Sequence, residues 1–184
     1  MLRAVADAVA EEGYAATTVA SVLSRAGVSR ETFYQQFRDK EDCFLVAFDA
    51  SVEGLMRAIE AATDEGVSGG PPQPAGPRER LDRALREYLR LMTRDATLAG
   101  VFLVGAYGAG PAAIARRAAV FERFVQTVVS LADAEPADHF ACEALVGAIS
   151  SLVTTRVTTG RLAELPDLRG PILEVAARLL PVFS

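Results

Sequence analysis

TTVASVLSRAGVSRETFYQQFRDK, residues Thr17 to Lys40, is the stretch whose reading decides the fold. Thr17 and Thr18 offer N-caps, because a threonine hydroxyl can accept from a helix amide that lacks an intrahelical partner. Val19, Val22 and Leu23 then put an apolar stripe on a short helix running through Arg25. Gly27 stands where a turn needs positive φ, and Ser29 is the next N-cap. Thr32, three residues on, stands where a glutamate or glutamine would complete a capping box, so that box is predicted to be incomplete. The second helix runs to about Phe37, with Phe33 and Phe37 four apart and facing a core together. Arg30, Glu31, Thr32, Tyr34, Gln35 and Gln36 occupy its other faces.

Working outward, Leu2, Val5, Ala6 and Val9 have helical spacing, and Gly13 ends that helix with Tyr14 free to pack back under it. On the other side Asp39 can cap a long helix, with Glu41 and Asp42 favourable in its first turn and apolar positions from Phe44 to Ile59. Residues 66–77, GVSGGPPQPAGP, are too rich in glycine and proline for a helix or strand and are predicted to be a mobile loop. Leu81, Leu85, Tyr88, Leu89 and Met92 then mark an amphipathic helix to about Arg94. A short apolar helix over 97–107 follows, then helices opened by Pro111, by Pro136 and by the Pro166–Pro171 segment. No stretch alternates as a strand does. The chain is predicted to be all-α, with about nine helices: an N-terminal three-helix helix-turn-helix domain over 1–46 and a larger helical domain over 47–184.

A chain of 184 residues, half of them apolar, can bury a sizeable core, and a net charge of −5 excludes a general coat of affinity for nucleic acid. It leaves room for a local basic surface. Cys43 and Cys142 are far apart and within apolar patterns, as expected of two buried thiols in a reducing compartment. The N-terminus lacks the apolar core of a signal peptide. Residues 96–115 carry no charge, but glycines and Pro111 interrupt them and the strongly apolar part is too short for a span of about 20 residues. A cytoplasmic protein with no membrane partner is expected. There is no metal-ligand spacing, no glycine-rich phosphate loop and no triad that the single histidine, His139, could complete. Neither enzyme activity nor a metal or cofactor is expected.

The helix over 30–37 carries groups suited to the major groove of DNA. Ser29 and the first amides can approach a phosphate, Arg30 and Lys40 bracket the helix with positive charge, and the Tyr34 hydroxyl can reach a phosphate. Gln35 and Gln36 suit base edges, with adenine the preferred partner of a bidentate amide, and Glu31 could accept from a cytosine amino group. From these residues alone, an ordinary solvated face of an amphipathic helix is the stronger reading.

The run GYAATTVASVLSRAGVSRETFYQQFRDKEDCF resembles the DNA-binding segment of TetR-family transcriptional regulators. The resemblance rests on Gly13-Tyr14, Thr18, Ala26-Gly27-Val28-Ser29, Phe33-Tyr34, Phe37 and Lys40-Glu41, and closely covers about 45 residues. It implies that Thr18, Ser29, Arg30, Tyr34 and Lys40 lie at or near phosphate-touching positions, and Glu31, Thr32, Gln35 and Gln36 where bases are read. Glu31 replaces a small residue often found there, and Gln36 a frequent histidine, which leaves the operator sequence open. No basic N-terminal arm precedes the first helix in this sequence.

The same resemblance implies a ligand pocket walled by the middle helices and a homodimer through the last two. Ala144, Gly147, Ala148, Ser150 and Ser151 would permit close helix approach at a two-fold axis, and a dimer would bind a pseudo-palindromic site in double-stranded DNA. Pocket candidates are Tyr88, Met92, Phe102, Tyr107, Phe121, Phe124 and Thr155, which suit an apolar or amphipathic small-molecule effector. Arg116, Arg117 and Arg156 could meet an anionic group, and His139 is expected at the surface or the dimer rim. The function implied is a ligand-responsive regulator, a repressor released from its operator. A helical module that binds a ligand or protein without DNA is the alternative.

Overall fold

A computed structural model describes residues 1–64 and 75–184. Among the described residues the chain is all-α, with nine helices and no strand. They are α1 (Leu2–Glu12), α2 (Val19–Ala26), α3 (Arg30–Gln36), α4 (Lys40–Asp64) and α5 (Pro77–Arg94). After them come α6 (Ala96–Gly108), α7 (Pro111–Ala132), α8 (His139–Thr158) and α9 (Arg169–Leu179). Helix ends fall within a residue or two of the expected places. Of the expected loop over 66–77, residues 66–74 lie outside the described residues, and Pro77 opens α5.

The chain forms two compact units: residues 1–54 with 95–118, and residues 55–94 with 119–184. It passes from one to the other within α4, between α5 and α6, and within α7.

In the first unit, α1 buries Val5, Ala8 and Val9, while α4 buries Cys43, Phe44 and Phe48. Phe48 stacks on Phe102 of α6, centroids 6.1 Å apart. Burial pushes the Cys43 thiol up to about 11, which keeps it a small apolar core group. α6 comes very close to α1 and α4: a Cβ built at Gly105 would lie 2.9 Å from Cγ1 of Val9 and 3.4 Å from the Phe44 ring. Within α6, Val101–Gly105 is wound as a π-helix, which the apolar pattern did not foretell. The approach is reinforced at its rim, where Arg3 donates to Asp7 and to Asp95, each at 2.9 Å. Asp95 also caps α6, accepting from the Leu98 amide at 2.9 Å.

In the second unit, α5 turns Leu81, Leu85, Tyr88, Leu89 and Met92 inward. Its polar side carries the pairs Arg86–Asp82 and Arg90–Glu87. Arg169 at the start of α9 grips Asp82 with both Nε and Nη2, the latter at 2.6 Å. Arg78 donates to the carbonyl of Phe183 at 2.6 Å and so ties down the C-terminal turn, whose Phe183 side chain is buried.

One helical run among the described residues, Pro136–Thr158, is long and apolar enough to cross a membrane by length and composition. It was the expected apolar run over 96–115 that failed this measure, since its helix is the short Ala96–Gly108. Much of the longer run is open to solvent: Phe140 is 77% exposed, and Ala144, Ala148, Ser151 and Leu152 are exposed too.

Candidate nucleic-acid interface

The α2–α3 pair is built by its caps. The Thr18 hydroxyl accepts from the Ser21 amide at 3.1 Å, and Ser21 Oγ accepts from the Thr18 amide at 3.0 Å. A reciprocal capping box therefore opens α2, with a serine in the place usually held by glutamate or glutamine. Gly27 ends the helix at φ 65°, ψ 32°, and its amide returns to the Leu23 carbonyl at 2.9 Å. That left-handed conformation costs a glycine nothing and an L-residue with a side chain about 1 kcal/mol.

Ser29 caps α3. Its Oγ accepts from the Thr32 amide at 3.1 Å and lies 2.9 Å from the Thr32 hydroxyl. Phe33 and Phe37 are buried and hold α3 to the unit's core, as the spacing predicts. Tyr34 meets the edge of Phe33, centroids 5.3 Å apart, and is 48% exposed. The Arg30 guanidinium lies over the Tyr34 ring at 5.7 Å. Each of Arg30, Glu31, Gln35 and Gln36 is exposed, so α3 offers one cation, one carboxylate, two amides and a phenol to solvent.

The positive charge around α3 is thinner than the sequence suggests. Arg38 is exposed but shares Asp42, to which it donates from its backbone amide at 3.0 Å and its guanidinium at 3.2 Å. Those bonds, the backbone one first, hold the Asp42 carboxyl below its ordinary range. Arg25 bridges Glu11 and Glu12 on α1. Lys40 does not project from the face at all: its Nζ donates to the carbonyls of Tyr14 and Thr17, each at 2.8 Å. Sequence spacing located the other groups. The inward course of Lys40 had no signal in it, because backbone carbonyls are the same at every residue.

The pocket candidates are placed less uniformly. Phe102 is buried and Tyr107 is 58% exposed in the first unit, where Arg117 lies over the Tyr107 ring at 4.6 Å. In the second unit Met92 and Tyr88 are buried, and Tyr88 meets Phe124 edge-on with centroids 5.8 Å apart. Phe121 is half-buried. Thr155 is exposed, its hydroxyl donating to the Ser151 carbonyl at 2.9 Å. Arg116 pairs with Asp49, and Arg156 donates to the Leu152 carbonyl at 3.2 Å. His139 lies half-buried, 3.5 Å from Gln126 and 4.0 Å from Glu122.

Residues 2–47 match the family model for bacterial regulatory proteins of the tetR family. No curated protein matches the chain. Among solved structures, the fatty acid degradation regulator FadR from Bacillus halodurans superposes with a TM-score of 0.80 at 19% identity, over 97% of this chain and 92% of that one. FadR from Bacillus subtilis, solved in complex with stearoyl-CoA, has a TM-score of 0.79 at 21% identity and covers 95% of each chain. A TetR-like transcriptional regulator from a Rhodococcus species has a TM-score of 0.74 at 21% identity, over 98% of this chain and 93% of that one. At such identities the likeness is one of fold.

Proposed function

We propose that this chain, a TetR-family protein by its N-terminal segment and its fold, is a ligand-responsive transcriptional regulator that docks α3 in the major groove. The observation that carries the reading is the α2–α3 pair. Both helices are capped and α3 is pinned by two buried phenylalanines, yet Arg30, Glu31, Tyr34, Gln35 and Gln36 stay exposed on it. A rigid helix with base-reading groups outside is what groove docking requires. Thr18, Ser29, Arg30 and Tyr34 would meet phosphates. Glu31, Thr32, Gln35 and Gln36 would face the bases. Residues 1–46 form the DNA-binding domain in this scheme and 47–184 the ligand-binding and dimerisation domain.

Exposed apolar groups on α8 and α9, among them Phe140, Leu152, Val175 and Leu179, support a homodimer through the last two helices. Small exposed residues Ala144, Ala148 and Ser151 allow the close approach. A two-fold dimer sets two α3 helices about 34 Å apart, so its site in DNA is a pseudo-palindrome. The effector is a small apolar or amphipathic molecule, bound among middle-helix side chains such as Tyr88, Met92 and Phe124. Because the Bacillus subtilis FadR structure holds stearoyl-CoA, fatty acyl-CoA esters are the first probes to try. Effector binding would favour an arrangement of lower DNA affinity, releasing a repressor, and the coupling is reciprocal. Regulation without catalysis, in the cytoplasm, completes the reading.

The experiment is a gel shift with the promoter DNA beside the protein's own gene, repeated with acyl-CoA esters of several chain lengths. A sequence-specific, salt-sensitive shift that an acyl-CoA ester reverses supports the whole reading. A shift that no ester reverses removes this effector class. No specific shift at any salt concentration removes DNA binding.

A further inference from the structure

We infer that Lys40 is a positioning residue of the DNA-binding unit: its ammonium holds the turn that launches α2, and it makes no phosphate contact. This rests on the α2–α3 pair being the DNA-reading element.

A lysine ammonium has three donors. In Lys40 two are spent on the carbonyls of Tyr14 and Thr17, each at 2.8 Å. On a third side lies the Tyr14 ring, whose centroid is 4.0 Å from Nζ, well inside cation–π range. Those three partners surround the group, and a phosphate would have to displace one of them.

The turn itself is closed on its other side. The Thr17 amide and hydroxyl both donate to the Gly13 carbonyl, at 3.2 and 2.9 Å, and Thr17 is 1% exposed. The chain thus makes one helix-like turn from Gly13 to Thr17 that does not continue as α1. The carbonyls of Tyr14 and Thr17 sit where a helix end leaves acceptors, a place that favours a cation. The next residue, Thr18, is the N-cap of α2. The ammonium therefore fixes the backbone one residue before the amides that α2 presents.

The anchor comes from α4, of which Lys40 is the first residue. Phe44, one turn further along α4, meets the same Tyr14 ring edge-on with centroids 5.2 Å apart. α4 thus grips Tyr14 with a cation on its face and an aromatic beside it, as an i, i+4 pair can. The turn before α2 and the start of α4 are joined through this clamp, independently of the Gly27 turn. Arg30, by contrast, keeps its guanidinium outside.

A phosphate contact and a positioning contact differ in salt dependence. Each phosphate neutralised adds about 0.9 to the slope of log affinity against log salt concentration. The test uses the full chain and a duplex enriched from a random-sequence pool by the wild-type protein. Lys40→Met keeps the stem and removes the ammonium. It should weaken binding by about tenfold or more, leave the salt slope unchanged, and speed hydrogen exchange at the amides of residues 18–22. Arg30→Ala is the calibrant: its slope should fall by about 0.9 per protomer with exchange at 18–22 unaltered.

Lys40→Met overturns the inference if its slope falls as that of Arg30→Ala does, or if affinity and exchange both stay at wild-type values. Should Lys40→Met fail to fold, Tyr14→Leu removes only the ring from the clamp and should show the same signature at smaller size; wild-type exchange and affinity in it would equally overturn the inference. If the wild type enriches no duplex, DNA binding itself fails, and the exchange measurement alone decides whether the clamp exists.

Discussion

Phe33 and Phe37 lie one turn apart on α3 with ring centroids 5.4 Å apart, and both are buried. α3 has only seven residues, too few to be stable alone, so this pair is what keeps it a helix. Phe33→Ala is expected to cost about 3–5 kcal/mol. Thermal unfolding followed by circular dichroism measures it, and a loss below about 1 kcal/mol would mean that α3 is held by something else.

Glu31 is an exposed carboxylate in the first turn of the helix proposed to enter the groove. There it stabilises the helix N-terminus and repels phosphate at the same time. Glu31→Ala should therefore tighten binding to unrelated duplexes while relaxing preference at one position of the site. A pool-enrichment experiment reads both effects, and unchanged preference would remove Glu31 from the base-reading set.

At Gly105 the backbone of α6 runs close against α1 and α4. A Cβ there would stand 2.9 Å from Cγ1 of Val9, and a valine on a helix has little rotamer freedom with which to give way. Gly105→Ala should destabilise the protein by about 1–3 kcal/mol, despite the better helix propensity of alanine. A melting temperature equal to or above the wild type would show that α6 moves aside at no cost.

Asp82 and Arg169 couple stability to pH. The Arg169 hydrogen bonds hold the Asp82 carboxyl below its ordinary range. Its unfolded value is about 3.9. The stabilisation is thus complete above that pH and is lost as pH falls through the lower folded value. With Arg169 partly open to solvent, Asp82→Ala should cost about 1 kcal/mol at pH 7. The gap to the wild type should close as pH falls below about 4. Urea unfolding at a series of pH values measures this, and a gap independent of pH would assign the loss to packing.

Much of the fold could be read from the chain because its signals are local. Thr18, Ser29 and Asp39 mark helix starts by side-chain chemistry, Gly27 marks a helix end by the left-handed backbone that a glycine adopts freely, and Phe33 and Phe37 mark a buried face by spacing. What escaped depends on distant partners. Lys40 reads as a surface cation until the carbonyls of Tyr14 and Thr17 are in place. The π-wound turn at Val101–Gly105 lies in a helix packed against Val9 and Phe44, a pairing that periodicity within 96–108 cannot express. Thr155 escaped for another reason. α8 is apolar around most of its circumference, so nothing local says which face turns inward, and Thr155 lies outside.

The most direct measurement is the affinity of Arg30→Ala/Tyr34→Ala for a duplex that the wild type selects, with melting temperature and oligomeric state recorded beside it. Both side chains are exposed on α3, so the double variant should fold and assemble as the wild type does and lose about a hundredfold or more in affinity. Wild-type affinity in the double variant, with the fold intact, would contradict α3 as the DNA-reading helix.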